Sequence, residues 1–213
     1  NECRLRRLYH FGDSGDELVG FLKQYHQLEV IQNVAAVEHV FSALTLSKSL
    51  RKLDLHHRGF SVSVLCEYLR SAGSIESFSV LCFFNADVAA TLLSCCARLR
   101  TLKLVYCELG SWFVTFLKSA ASLQKLDLSC MKANDWEGIL DALPNTLTGF
   151  RLSGFAVGDV AKMRIVSILC LPRLKKLKWV VHDEYSHSEF ELFADTFRAN
   201  KSLVYCSAAF AGV

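Results

Sequence analysis

Apolar residues recur along this chain in one figure: an apolar position, two variable ones, an apolar, a polar and an apolar again. The stretch RLRTLKLVYCELG, residues 98 to 110, shows it clearly, with leucines at 99, 102 and 104. Close variants return as SLRKLDLHH, SLQKLDLSC, TLTGFRLSG and RLKKLKWVV. Aligned on the first apolar position, the copies start at Leu5, Leu28, Leu50, Ile75, Leu99, Leu123, Leu147, Leu174 and Leu203, at intervals of 23, 22, 25, 24, 24, 24, 27 and 29 residues. Repetition at this spacing marks a stacked repeat architecture. Within each copy, apolar positions 4 and 6 alternate with polar 3 and 5, which predicts a short strand with one buried face. The two N-terminal copies break the figure at position 6, with His10 and Asn33.

A helical pattern follows the strand pattern. Trp112, Phe113, Phe116, Leu117 and Ala120 share one helix face, as do Trp136, Ile139, Leu140 and Leu143, and again Phe190, Phe193 and Phe197. The chain's two prolines, Pro144 and Pro172, stand just before a strand motif, where a helix must already have ended. Alternating strands and helices predict a parallel sheet with helices on one side. Neighbouring strands sit about 4.8 Å apart, whereas helices are about 10 Å wide, so such a sheet curves away from its helices. No unit of it can bury its apolar face without its neighbours.

The motifs LRTLKLVYCEL, LQKLDLSC and LKKLKW resemble those of the leucine-rich repeat family. The helix-bearing side is similar to its ribonuclease-inhibitor-like and cysteine-containing intracellular classes. The resemblance covers essentially the whole chain. It implies an α/β leucine-rich-repeat solenoid, a horseshoe with a parallel concave sheet and convex helices, over a single domain 1–213 of about nine repeats. It also implies a curved protein-binding module and no activity. One departure concerns position 9, where the family usually has asparagine or cysteine bonding the turn backbone. Here that position reads Asp13, Ala36, Arg58, Phe83, Cys107, Met131, Phe155, His182 and Ala211, so only Cys107 conforms. The side-chain ladder of the family is expected to be mostly lost.

With 52% hydrophobic and 21% charged residues over 213, the chain is expected to fold. Its nearly apolar runs, such as 166–171, fall far short of the roughly 18 residues of a membrane span. Nine cysteines, with no CxxC pair, suggest neither a disulfide framework nor a zinc ribbon. They read as reduced thiols in an intracellular, reducing compartment, whether cytoplasm, nucleus or organelle matrix. The apolar ending SAAFAGV lacks the polar cap of a solenoid end. The array is therefore expected to continue or to be covered by another subunit.

Candidate chemistry is sparse. His56 and His57, and His182, Asp183 and His187, lack a recognised ligand spacing, and Cys95 and Cys96 have no partner set by spacing to activate a thiolate. Gly149, Gly154 and Gly158 precede no phosphate-binding lysine. Neither enzymatic activity nor a metal or cofactor is expected.

The surface columns carry more information. Positions 2, 3 and 5 hold eleven basic residues and four acidic ones (Glu29, Asp54, Glu76 and Asp127), a net +7 in a chain of net +3. Position 7, the last outward column, is apolar in six of nine copies, and apolar strips beside charge mark interfaces. The candidate partner-binding residues are Lys103, Asp127, Arg151 and Lys178 at position 5, Lys125 and Lys176 at position 3, and Val105 and Val180 at position 7. The expected function is a non-enzymatic interaction or scaffold subunit of a larger complex, holding an acidic protein on its concave face. Two alternatives stand beside it: a ribonucleoprotein subunit contacting RNA through the same basic face, and the substrate-recognition arm of a ubiquitin ligase.

Overall fold

The computed structural model of the chain describes residues 6–11, 15–25, 27–34, 38–45, 47–55, 62–81, 96–154, 168–181 and 187–210. Among them, nine strands form one sheet: β1 (Arg7–Phe11), β2 (Val30–Val34), β3 (Lys52–Leu55), β4 (Ser77–Leu81), β5 (Thr101–Val105), β7 (Lys125–Ser129), β9 (Gly149–Ser153), β10 (Lys176–Val181) and β11 (Tyr205–Phe210). They lie side by side in chain order and every pair is parallel. Two short strands, β6 (Glu108–Leu109) and β8 (Lys132–Ala133), pair with each other beside this sheet. Helices at Gly15–Gln24, Glu38–Leu44, Val62–Ser71, Ser111–Ser119, Trp136–Asp141 and His187–Ala199 follow their strands.

The leucine figure builds the core. Positions 1, 4 and 6 of the central repeats are all buried: Leu99, Leu102 and Leu104, then Leu123, Leu126 and Leu128, then Leu147, Phe150 and Leu152. The next repeat substitutes Trp179 at position 6, with no exposed surface. Phe113, Phe116 and Leu117 of one helix and Ile139 and Leu140 of the next complete the same cluster. Phe197 departs from the expected buried helix face, being 40% exposed.

The break at Asn33 has a simple cause. Ile31 pairs with Leu53, but Val34 rather than Asn33 pairs with Leu55, so an extra residue bulges between them. The bulge resets the register by one position. Without it, Asn33 would stand level with Leu55.

A second ladder holds the repeats together where the expected one is missing. The hydroxyl just before position 1 reaches back to the preceding repeat. Ser49 donates to the Leu28 carbonyl at 3.0 Å, Ser74 to Leu50 at 2.7 Å, Thr146 to Leu123 at 2.7 Å and Ser202 to Leu174 at 3.0 Å. Ser122 does the same to Ala97 at 2.9 Å. Each bond ties a backbone carbonyl of one repeat to the next, and Ser47 donates to the same Leu28 carbonyl at 3.0 Å. At position 9, the Cys107 thiol meets the Val105 carbonyl at 3.5 Å, while Met131 only packs. The backbone supplies the rest. Tyr106, Cys130 and Gly154, all at position 8 with φ of 58°, 54° and 85°, donate to the carbonyls of Ser129, Ser153 and Val180 in the next strand. Such left-handed backbone favours glycine. At Gly154 a Cβ would also stand 2.8 Å from the Cys130 sulfur.

Candidate partner-binding surface

With positions 4 and 6 turned into the core, positions 3 and 5 cover the opposite face of the sheet. Its register sets Lys103 beside Asp127, Asp127 beside Arg151 and Arg151 beside Lys178. The position 3 column runs parallel to this one, through Thr101, Lys125, Gly149, Lys176 and Tyr205. Together they line a shallow groove of about 330 Å³. That lies at the low end of the roughly 300–1,000 Å³ of small-molecule sites, and the groove is open along its length, a shape suited to side chains of a partner.

Charge is distributed unevenly along the face. In the N-terminal half, position 2 alternates Arg6, Glu29, Arg51 and Glu76 on successive strands, and the column neutralises itself. Arg6 meets Glu29 at 3.2 Å and Arg51 meets Glu76 at 3.5 Å. In the C-terminal half the only acid lining the groove is Asp127. Its carboxylate holds Arg151 at 3.7 Å and accepts the Ser129 hydroxyl at 2.9 Å. Lys103, Lys125, Lys176 and Lys178 have no carboxylate within 4.0 Å among the described residues. Four unpaired ammonium groups therefore share one groove.

Position 7 is arranged differently from a strip. Val105 and Val180 are half-buried at the ends of β5 and β10, and Ser129 and Ser153 stand between them, their hydroxyls 3.0 Å apart. Six of the eight expected residues thus gather around the groove, while the two valines lie apart from each other near its edge. Gly149 is the feature that sequence reasoning passed over. It leaves a gap in the position 3 column between Lys125 and Lys176.

The remaining candidates add no chemistry. His56, His57, His182, Asp183 and Cys95 lie outside the described residues, as do the side chains of His187 and Cys96. Among the described residues no group of three or more histidine, cysteine, aspartate or glutamate side chains could hold a metal ion. No helix of these residues is long and apolar enough to cross a membrane. Cys66 and Cys107 are buried thiols, and burial raises the pKa of the half-buried Cys206 thiol, keeping it protonated.

Comparison with known proteins gives partial matches. No family model matches the chain. GRR1-like protein 1 of Arabidopsis thaliana is 32% identical over 120 residues, which cover half of this chain. The chain spans about a fifth of that relative's length, 20%. Internalin C2 of Listeria monocytogenes superposes over 90% of this chain and 84% of its own, at 17% identity and a TM-score of 0.46. The period of its leucines, and the stacked strand and helix units that this period builds, give the chain the leucine-rich-repeat fold.

Proposed function

We propose that the chain is a non-enzymatic interaction module, a scaffold subunit that holds an acidic protein partner on the concave face of its sheet. The observation that carries this reading is the cluster of Lys103, Lys125, Lys176 and Lys178 around one groove whose one acid, Asp127, already holds Arg151. Unpaired like charges on adjacent strands repel one another. A partner that supplies carboxylates relieves that repulsion and is steered in by it. An RNA partner is less well served, because single-stranded bases stack on series of aromatic side chains and Tyr205 is the one aromatic ring exposed in the groove.

The test compares three purified baits. Lys103→Glu, Arg151→Glu and Lys178→Glu together invert the central column; Arg151 is exposed and the two lysines half-exposed, and charges open to solvent contribute little to stability, so the variant should fold. Lys23→Glu, Lys118→Glu and Arg198→Glu make the matching change on the helices. Proteins captured by the wild type and the helix variant should be absent from the concave variant. If the concave variant captures the same set with equal yield, the concave face is not the docking surface. The similarity to GRR1-like protein 1 is compatible with a second reading, in which this face selects substrates for a ubiquitin ligase. Ligase subunits in the captured set would favour it.

A further inference from the structure

Gly149 has lysines on both sides in a column where every other strand from β5 to β11 carries a side chain. Its backbone does not demand glycine. A Cβ built there would meet only the Cγ of Lys125, at 3.6 Å, which is ordinary contact, and its φ is not positive. The residue therefore leaves room on the surface rather than relieving strain. Lys125 and Lys176 flank it on the neighbouring strands, and Tyr205, a residue 52% exposed, lines the same groove one strand beyond Lys176. Lysine stems cover apolar surface while their ammonium groups stand clear in water. The result is an apolar notch with a cation on either rim.

We propose that the notch at Gly149 seats one aromatic or large aliphatic side chain from an extended acidic segment of the partner, with Lys125 and Lys176 meeting carboxylates on either side of it. This deepens the concave-face reading and rests on it. The groove crosses β5, β7, β9, β10 and β11, about 19 Å at one strand spacing each, the length of about six residues of extended chain. Over that length the lysines offer charge on both flanks and the notch offers one dry seat. Anchors in desolvated pockets carry most of the binding energy of an interface, and flanking charges set orientation and association rate.

The experiment uses a phage-displayed library of random 12-residue peptides, panned on the intact chain. Enriched peptides should carry one aromatic or large aliphatic residue with aspartate or glutamate on both sides. For the strongest of them, Gly149→Phe, which fills the notch without changing charge, should weaken binding at least tenfold, and Gly149→Ala should weaken it less. Circular dichroism and urea denaturation check that both variants are folded. Replacing the peptide's anchor with alanine should cost as much as Gly149→Phe, and combining the two changes should add almost nothing, the mark of a direct contact. Unchanged affinity of Gly149→Phe, while the triple concave charge reversal abolishes binding, would overturn the notch and leave the concave face standing. Peptides that bind the triple reversal unchanged would overturn both. So would a library that yields no acidic peptide while a uridine oligonucleotide binds the same face.

Discussion

Leu128 stands at position 6 of the most regular repeat, with no exposed surface and with Leu104 and Leu152, equally buried, level with it on the flanking strands. Leu128→Ala removes three carbons from the middle of that row. The neighbouring strands are held in register by continuous pairing, so they cannot close on the hole. The loss should fall in the upper part of the range for such cavities, about 3 to 5 kcal/mol. Urea denaturation reads it directly. With a slope of about 3 kcal/mol per molar, the midpoint should drop by about 1 to 1.7 M. Fluorescence of Trp179, buried two strands away, and far-UV circular dichroism should shift together, because each repeat is stable only against its neighbours. Leu192→Ala, on the half-exposed side of the last helix, should cost much less. A loss below about 1 kcal/mol at Leu128 would refute the assignment of position 6 to the core.

Three further outcomes are expected. Ser74→Ala removes the hydroxyl that bonds the Leu50 carbonyl and should cost about 0.5 to 1.5 kcal/mol by denaturation, whereas Lys118→Ala, on an exposed helix surface, should cost less. Tyr68 is buried, and among the described residues its hydroxyl has no hydrogen-bond partner, so Tyr68→Phe should leave stability at neutral pH unchanged or higher. Burial also raises the Tyr68 pKa above its ordinary 10.0. The unfolded phenol therefore ionises first, and stability is complete below about pH 10 and falls as pH rises beyond it. Denaturation midpoints of the wild type should decline there more steeply than those of Tyr68→Phe.

The leucine figure made the sheet legible because burial at positions 1, 4 and 6 is a direct demand of stacking. Lys103, Asp127, Arg151 and Lys178 could be placed side by side for the same reason: once register is set, one outward column follows. Other features were hidden for physical causes. Asn33 signals a fault in the figure, but the bulge that repairs it is a matter of backbone pairing with β3. Ser49, Ser74, Ser122, Thr146 and Ser202 do recur just before position 1. Their meaning depends on a carbonyl about 20 to 30 residues earlier, the reach of one repeat. The net charge of the outward positions concealed that Arg6 and Arg51 are matched by Glu29 and Glu76, so most of the net positive charge collects in the C-terminal half. Gly149 entered the sequence reading only as a glycine with no phosphate-binding lysine after it. Only its place between Lys125 and Lys176 turns it into a notch.

The central claim is that a partner lies against the concave face, and site-specific photocrosslinking tests it most directly. A photoreactive phenylalanine analogue placed at Thr101, on the groove wall, leaves every charge in place. The same residue placed at Thr115, exposed on the helix Ser111–Ser119, serves as the opposite face. After irradiation in cell extract, Thr101 should yield discrete protein adducts that disappear in the Lys103, Arg151 and Lys178 charge reversal, and Thr115 should yield none of them. Adducts from Thr115 alone, with none from Thr101, would contradict the account and move the docking surface to the helices.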